Sequence, residues 1–134
     1  MGLGESSTKK CLVLVVDDEQ LIEQYVQAVL QRYGYGTASF TNGKEALDSF
    51  SQSPDSFDLI ISDIKMPSID GIELARIVAV IKPDIRIILM TGQTEKLAEA
   101  RSIPNVRIVL EKPVLKSDLV RAVEDAIKEC EPQG

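Results

Sequence analysis

The chain has 134 residues, 44% of them hydrophobic, enough for one domain built around a single core. Its formal net charge is −6 and its lysines and arginines are scattered, so it lacks the basic stripe that binding to a phosphate backbone requires. Direct contact with nucleic acid is therefore not expected. No apolar run approaches the length needed to span a bilayer, which argues against insertion in a membrane.

The opening MGLGESSTKK has no apolar segment of the kind a signal peptide needs, and reads as a flexible leader over residues 1–10. Cys11 and Cys130 lie far apart and match no metal-ligand spacing. They read as ordinary reduced thiols, with the cytoplasm as the expected compartment. One domain is expected over residues 11–130, with a short tail at 131–134.

From Cys11 onward, apolar runs alternate with segments of helical period. The runs cover residues 12–16, 37–40, 59–62, 85–90 and 106–110. Several are rich in Val and Ile without alternation, as strands buried on both faces are. The run at 37–40 is short, and Arg107 interrupts the last, so both suit the edges of a sheet.

In the first helical segment Leu21, Ile22, Tyr25, Val26, Val29, Leu30 and Tyr33 form an apolar face that Gly34 ends. Asn42 and Glu45 have the spacing of a capping box opening the second. The third runs from Gly71 to Ile81, with Asp70 as its turn, and Pro83 stops it. The fourth, around residues 94–100, offers only Leu97, Ala98 and Ala100 to a core and is expected to be loosely held. The fifth opens near Ser117 and buries Leu119, Val123, Ala126 and Ile127. Five strand–helix pairs imply a doubly wound α/β domain with a parallel sheet and helices on both faces.

On that frame Asp17 and Asp18 follow the first strand, Asp63 the third, Thr91 the fourth and Lys112 the fifth. All then share the carboxyl end of the sheet, where open parallel sheets bind ligands. Singly, each has an ordinary explanation: a helix cap for Asp17, Asp18 and Thr91, a turn for Asp63, a solvated surface for Lys112. Those explanations do not account for their shared end, nor for adjacent carboxylates behind a buried strand. A divalent cation accounts for both, and three converging carboxylates suit Mg²⁺. A metal, a hydroxyl and an ammonium around one carboxylate suit phosphoryl transfer to that carboxylate. Gly92 leaves room for the phosphoryl group.

With VVDDE, SDIKMPSIDG, MTG and EKP in this order, the sequence closely resembles the receiver domain of two-component response regulators, from about Cys11 to Ile127. The resemblance implies a flavodoxin-like (βα)5 fold with strand order 2-1-3-4-5. It implies Asp63 as phosphoacceptor, with Mg²⁺ on Asp18, Asp63 and the main-chain carbonyl of Lys65, and Asp17 acting partly through water. Thr91 would be the switch hydroxyl and Lys112 the phosphoryl-sensing amine, and the resemblance supports a cis Lys112–Pro113 bond. The implied donor is a phosphohistidine on a histidine kinase or histidine phosphotransfer protein. It would dock on the face of the first helix and the loop after Asp63, and any effector domain would lie outside this chain.

Such a protein is a phosphoacceptor that assists its own phosphorylation and dephosphorylation, not an enzyme of small-molecule turnover. Two positions depart from the family pattern. Val109 stands where a rotating Tyr or Phe is usual, and Lys65 where a neutral or carboxamide residue is frequent. A dehalogenase-type phosphatase would want an Asp at the position of Lys65, and a flavin-binding relative would want a neutral first loop instead of Asp17-Asp18-Glu19. A receiver-like interaction module that is never phosphorylated remains the nearest alternative.

Overall fold

Residues 11–130 are described by the structure, a computed structural model. The expected leader (1–10), the tail (131–134) and the thiol of Cys130 lie outside the described residues and side chains, while Cys11 is half-buried.

Five strands, β1 (Leu12–Val16), β2 (Gly36–Phe40), β3 (Leu59–Asp63), β4 (Arg86–Thr91) and β5 (Val106–Glu111), form one sheet in the order β2-β1-β3-β4-β5. All neighbours are parallel. The two runs expected at the edges, β2 and β5, are the edge strands. The sheet is buried on both faces because its side chains alternate between two cores. Leu14, Val16, Ile60, Ile87, Leu89 and Val109 belong to one, and Val13, Val15, Leu59, Ile61, Ile88 and Met90 to the other.

The helices are α1 (Gln20–Arg32), α2 (Gly43–Gln52), α3 (Gly71–Ile81), α4 (Leu97–Arg101) and α5 (Lys116–Cys130). Core residues of α1 and α5 cover the Val13 face, and those of α2, α3 and α4 the Val16 face. Leu119, Val123, Ala126 and Ile127 of α5 are buried as the periodicity predicts.

Three local expectations change. Leu21, Tyr25 and Tyr33 of the predicted α1 face are exposed, and Val26, Val29 and Leu30 carry the packing with Glu23 beside them. The reciprocal capping box lies at Asp70 and Glu73, which open α3, whereas Asn42 only accepts from the Lys44 and Glu45 N–H groups. The fourth helical segment splits into a 3₁₀ turn (Thr94–Lys96) and the five-residue α4, in which Ala100 is the only buried residue.

Register fixes where the functional side chains emerge. Val16 pairs with Ser62, Asp63 with Met90 and Thr91 with Glu111. Beyond the last pairs, the Asp17 N–H donates to the Phe40 carbonyl and the Lys112 N–H to the Thr91 carbonyl (2.8 Å), so the strand ends are tied to each other. The β3–α3 connection is equally constrained. The Gly71 N–H donates to the Ile64 carbonyl (2.8 Å), and a methyl group at Gly71 would collide with the Asp63 carbonyl oxygen and stand 2.9 Å from the Ile64 Cα.

Main chain this close leaves little room to relax. Gly71→Ala is expected to destabilise the domain by roughly 2–3 kcal/mol, as overpacking against main chain does. Urea unfolding measures this; an unchanged midpoint would show that the loop yields.

Candidate functional site

Asp17, Asp18, Asp63, Thr91 and Lys112 come together at the carboxyl end of the sheet, as the sequence order implies. Asp17, Asp18 and Asp63 each offer a carboxylate oxygen within 4.8 Å of the others, a spacing that can hold a metal ion. Asp17 and Asp63 are buried and Asp18 is exposed, so the cluster has a closed floor and an open side. Asp18, Glu19, Asp63, Lys65, Gly92, Gln93 and Lys112 line its mouth, a cavity of about 380 Å³.

The ordinary explanations weighed for these residues do not describe them here. The N-cap of α1 is Glu19, not Asp17 or Asp18, and its side chain makes no cap bond. Asp17 instead accepts the Glu19 N–H on Oδ1 (2.9 Å) and the Lys112 ammonium on Oδ2 (3.2 Å). Lys112 is not a solvated surface residue: its side chain keeps 17% of its exposure and pairs with Asp17, Asp63 Oδ2 and Glu19 Oε1, each at 3.2 Å. The Lys112–Pro113 peptide is cis, as the resemblance implies.

Thr91 is buried, and its hydroxyl is turned into its own loop. It accepts the Gln93 N–H (2.9 Å) and donates to the Gln93 carbonyl (3.2 Å). Gly92 has open space where a side chain would stand. Glu19 pairs with Lys112, and Lys65 stands exposed at the mouth.

Burial and crowding set the charges. Loss of solvent lifts the Asp63 pKa from 3.8 to about 6, and Asp17 adds to the rise while Lys112 opposes it. Asp17 is also raised, first by burial, against the Glu19 N–H and Lys112. Burial works against the charge on Lys112, yet Asp63, Asp17 and Glu19 together raise its pKa above the usual value. Two desolvated carboxylates thus share one ammonium, a set deficient in positive charge whose hard oxygen donors suit a small divalent cation.

Comparison with known proteins agrees with this geometry. Residues 13–124 match the family model "Response regulator receiver domain". The chain is 34% identical over 113 residues to the response regulator receiver protein CpdR of Brucella abortus, covering 84% of this chain and 92% of the relative. It is 34% identical over 93 residues to sporulation initiation phosphotransferase F of Bacillus subtilis, covering 68% and 73%. Among solved structures, a response regulator receiver domain protein from Clostridium thermocellum superposes with a TM-score of 0.83 at 30% identity, over 90% of this chain and 96% of that one. The chain belongs to the receiver-domain family of two-component response regulators and so to phosphorelay signalling. Receiver domains bind Mg²⁺ at an acidic aspartate cluster, and this chain has one. Among the described residues, no helix is long and apolar enough to cross a membrane.

A raised carboxylate pKa gives a definite sign to the pH dependence. In metal-free protein the contribution of protonated Asp63 is complete below 3.8 and is lost as pH rises through about 6. At pH 8 Asp63→Asn is therefore expected to be more stable than the parent by about 1–3 kcal/mol, a gain that shrinks towards acid. Urea unfolding across that range checks it; a pH-independent difference would contradict burial as the cause.

Proposed function

We propose that this receiver domain accepts a phosphoryl group from a phosphohistidine, on a histidine kinase or histidine phosphotransfer protein, onto Asp63. The observation that carries the reading is the setting of Asp63: buried, clustered with Asp17 and Asp18, and 3.2 Å from the Lys112 ammonium. A carboxylate oxygen of Asp63 bonds to phosphorus as the bond from phosphorus to the donor imidazole nitrogen breaks, leaving an acyl phosphate. Asp17, Asp18 and Asp63, with the main-chain carbonyl of Lys65, would hold Mg²⁺, which neutralises charge on the phosphoryl oxygens. Lys112 stabilises another of those oxygens.

The surroundings fit a docked donor. Leu21, in the first turn of α1, is 80% exposed, and Leu115, just before α5, is 60% exposed. Both lie at the site end of the sheet, and the Tyr25 hydroxyl ties α1 to the Val114 carbonyl between them (3.2 Å). Apolar side chains around an acidic pocket suit a helix-borne histidine. The loop after Asp63, rimmed by Lys65, completes that surface. The chain thus acts as a cytoplasmic phosphoacceptor that assists its own phosphorylation and dephosphorylation, with its output through a partner or effector domain outside these residues.

The response runs through Thr91. Its hydroxyl reaches a phosphoryl oxygen only by leaving Gln93, and the segment it leaves leads directly into the 3₁₀ turn and α4. Val109 is buried in the same core as Ala100 and Leu97. A β-branched residue there cannot report the movement by swinging a ring. A shift in the population of the 91–101 segment takes that role.

Asp63→Asn is expected to abolish labelling by a phosphohistidine donor; labelling equal to the parent would mean that another residue is the acceptor. Amide exchange with and without Mg²⁺ and beryllium fluoride should show new protection across residues 91–101. Protection confined to Asp63 would instead indicate a relay or sink. Lys65→Asn is expected to change the acyl-phosphate hydrolysis rate, and an unaltered rate would make Lys65 a bystander.

A further inference from the structure

An ammonium has three N–H donors, and around Lys112 three carboxylates already stand at 3.2 Å. How far a phosphoryl oxygen can claim Lys112 therefore depends on which of them still compete for it. Asp17 cannot easily move: it is fully buried, and its other oxygen is held by the Glu19 N–H. Asp63 loses its carboxylate charge on becoming an acyl phosphate and so ceases to compete for the ammonium. The third is Glu19, whose side chain is 65% exposed. It occupies the N-cap of α1, where a short polar side chain would ordinarily turn back to an N–H of the first turn. Glu19 makes no such bond and extends to Lys112 instead.

We infer that Glu19 is a positioning residue that holds Lys112 back in the resting state and sets how readily the ammonium is handed to an incoming phosphoryl oxygen. The inference rests on the phosphoacceptor reading of Asp63. An exposed ion pair contributes little to fold stability. Its consequence lies in competition: the phosphoryl oxygens on Asp63 contend with Glu19 for Lys112, while Asp17 stays as the fixed partner. The acid of the β1–α1 loop and the lysine beyond β5, 93 residues apart in the chain, thereby become one adjustable contact.

The test uses beryllium fluoride as the phosphoryl mimic, titrated at saturating Mg²⁺ and followed by the amide NMR signals of Thr91 and Lys112. Saturation with metal keeps any change in Mg²⁺ affinity out of the reading. Glu19→Gln removes both the charge and the strong hold on Lys112. Glu19→Asp keeps the charge but shortens the arm by one methylene. If Glu19 acts by holding Lys112, both variants bind the mimic about two- to fivefold more tightly, the range set by a partly exposed ion pair. If Glu19→Asp binds like the parent while Glu19→Gln binds more tightly, a general negative field is responsible and the inference falls. Equal or weaker binding by Glu19→Gln also overturns it. A parent protein that does not bind the mimic at all defeats the phosphoacceptor reading itself, and this inference with it.

Discussion

Like charges forced together at the end of a buried sheet are the constraint on which this molecule turns. Asp17 and Asp63 follow or end adjacent central strands, so the parallel pairing that builds the core also brings their carboxylates into one site. Burial deprives them of water, and one ammonium answers several negative groups. The metal-free domain is therefore stable in spite of its site, with a defined chemical preference for what would complete it. The N-terminus of α1 offers partial relief, because the Glu19 N–H points at Asp17 and the helix dipole favours a negative neighbour.

The two flanks of the site differ in stiffness. Next to Asp63, α3 is fixed by a reciprocal cap and by Gly71 packed against the Asp63 carbonyl. Ser68, in the same loop, sits at φ 69°, a conformation uncommon for a residue with a side chain and one the surrounding packing must hold. Beyond Thr91, a 3₁₀ turn leads into a helix of five residues with one buried side chain. Arg76 on α3 reaches Glu99 on α4 at 3.4 Å, an exposed pair that restrains α4 only weakly. A change at Asp63 thus has little freedom towards α3 and more towards α4.

Much of this was readable from the chain alone, for identifiable reasons. Unbroken Val and Ile runs mark strands covered on both faces, and Arg107 marks an edge, because each reflects a direct burial requirement. Convergence of the five site residues followed from parallel topology without any contact being known. Other features depend on three-dimensional neighbours that no local pattern encodes. Asn42-Glu45 and Asp70-Glu73 have the same spacing, and only backbone geometry closes the second box and leaves the first half made. Period 3.6 places Leu21, Tyr25 and Tyr33 near the apolar side of α1, but the extent of the sheet beneath decides which are covered. The contact of Glu19 with Lys112 requires the strand order, and the turn of Thr91 onto Gln93 requires the loop.

Val109 limits what kind of movement the proposed switch could transmit. It pairs in register with Leu89, two residues inward from the Thr91–Glu111 pair, and so lies beneath Thr91 on the same face of the sheet. That face is the one α4 covers through Ala100. Close-packed interiors do not tolerate a void of even one or two methyl groups without loss of stability. If Thr91 turns towards a phosphoryl group on Asp63, as we propose, any volume it vacates must be refilled. A ring at position 109 could refill it by rotating, leaving the backbone in place. Val109, branched at Cβ and already buried, has no comparable reach. On that reading the thinly anchored segment beyond Thr91, α4 with the turn before it, would close the gap. On the proposed reading, the conformational signal in this chain would be carried by main chain instead of by a side-chain rotor.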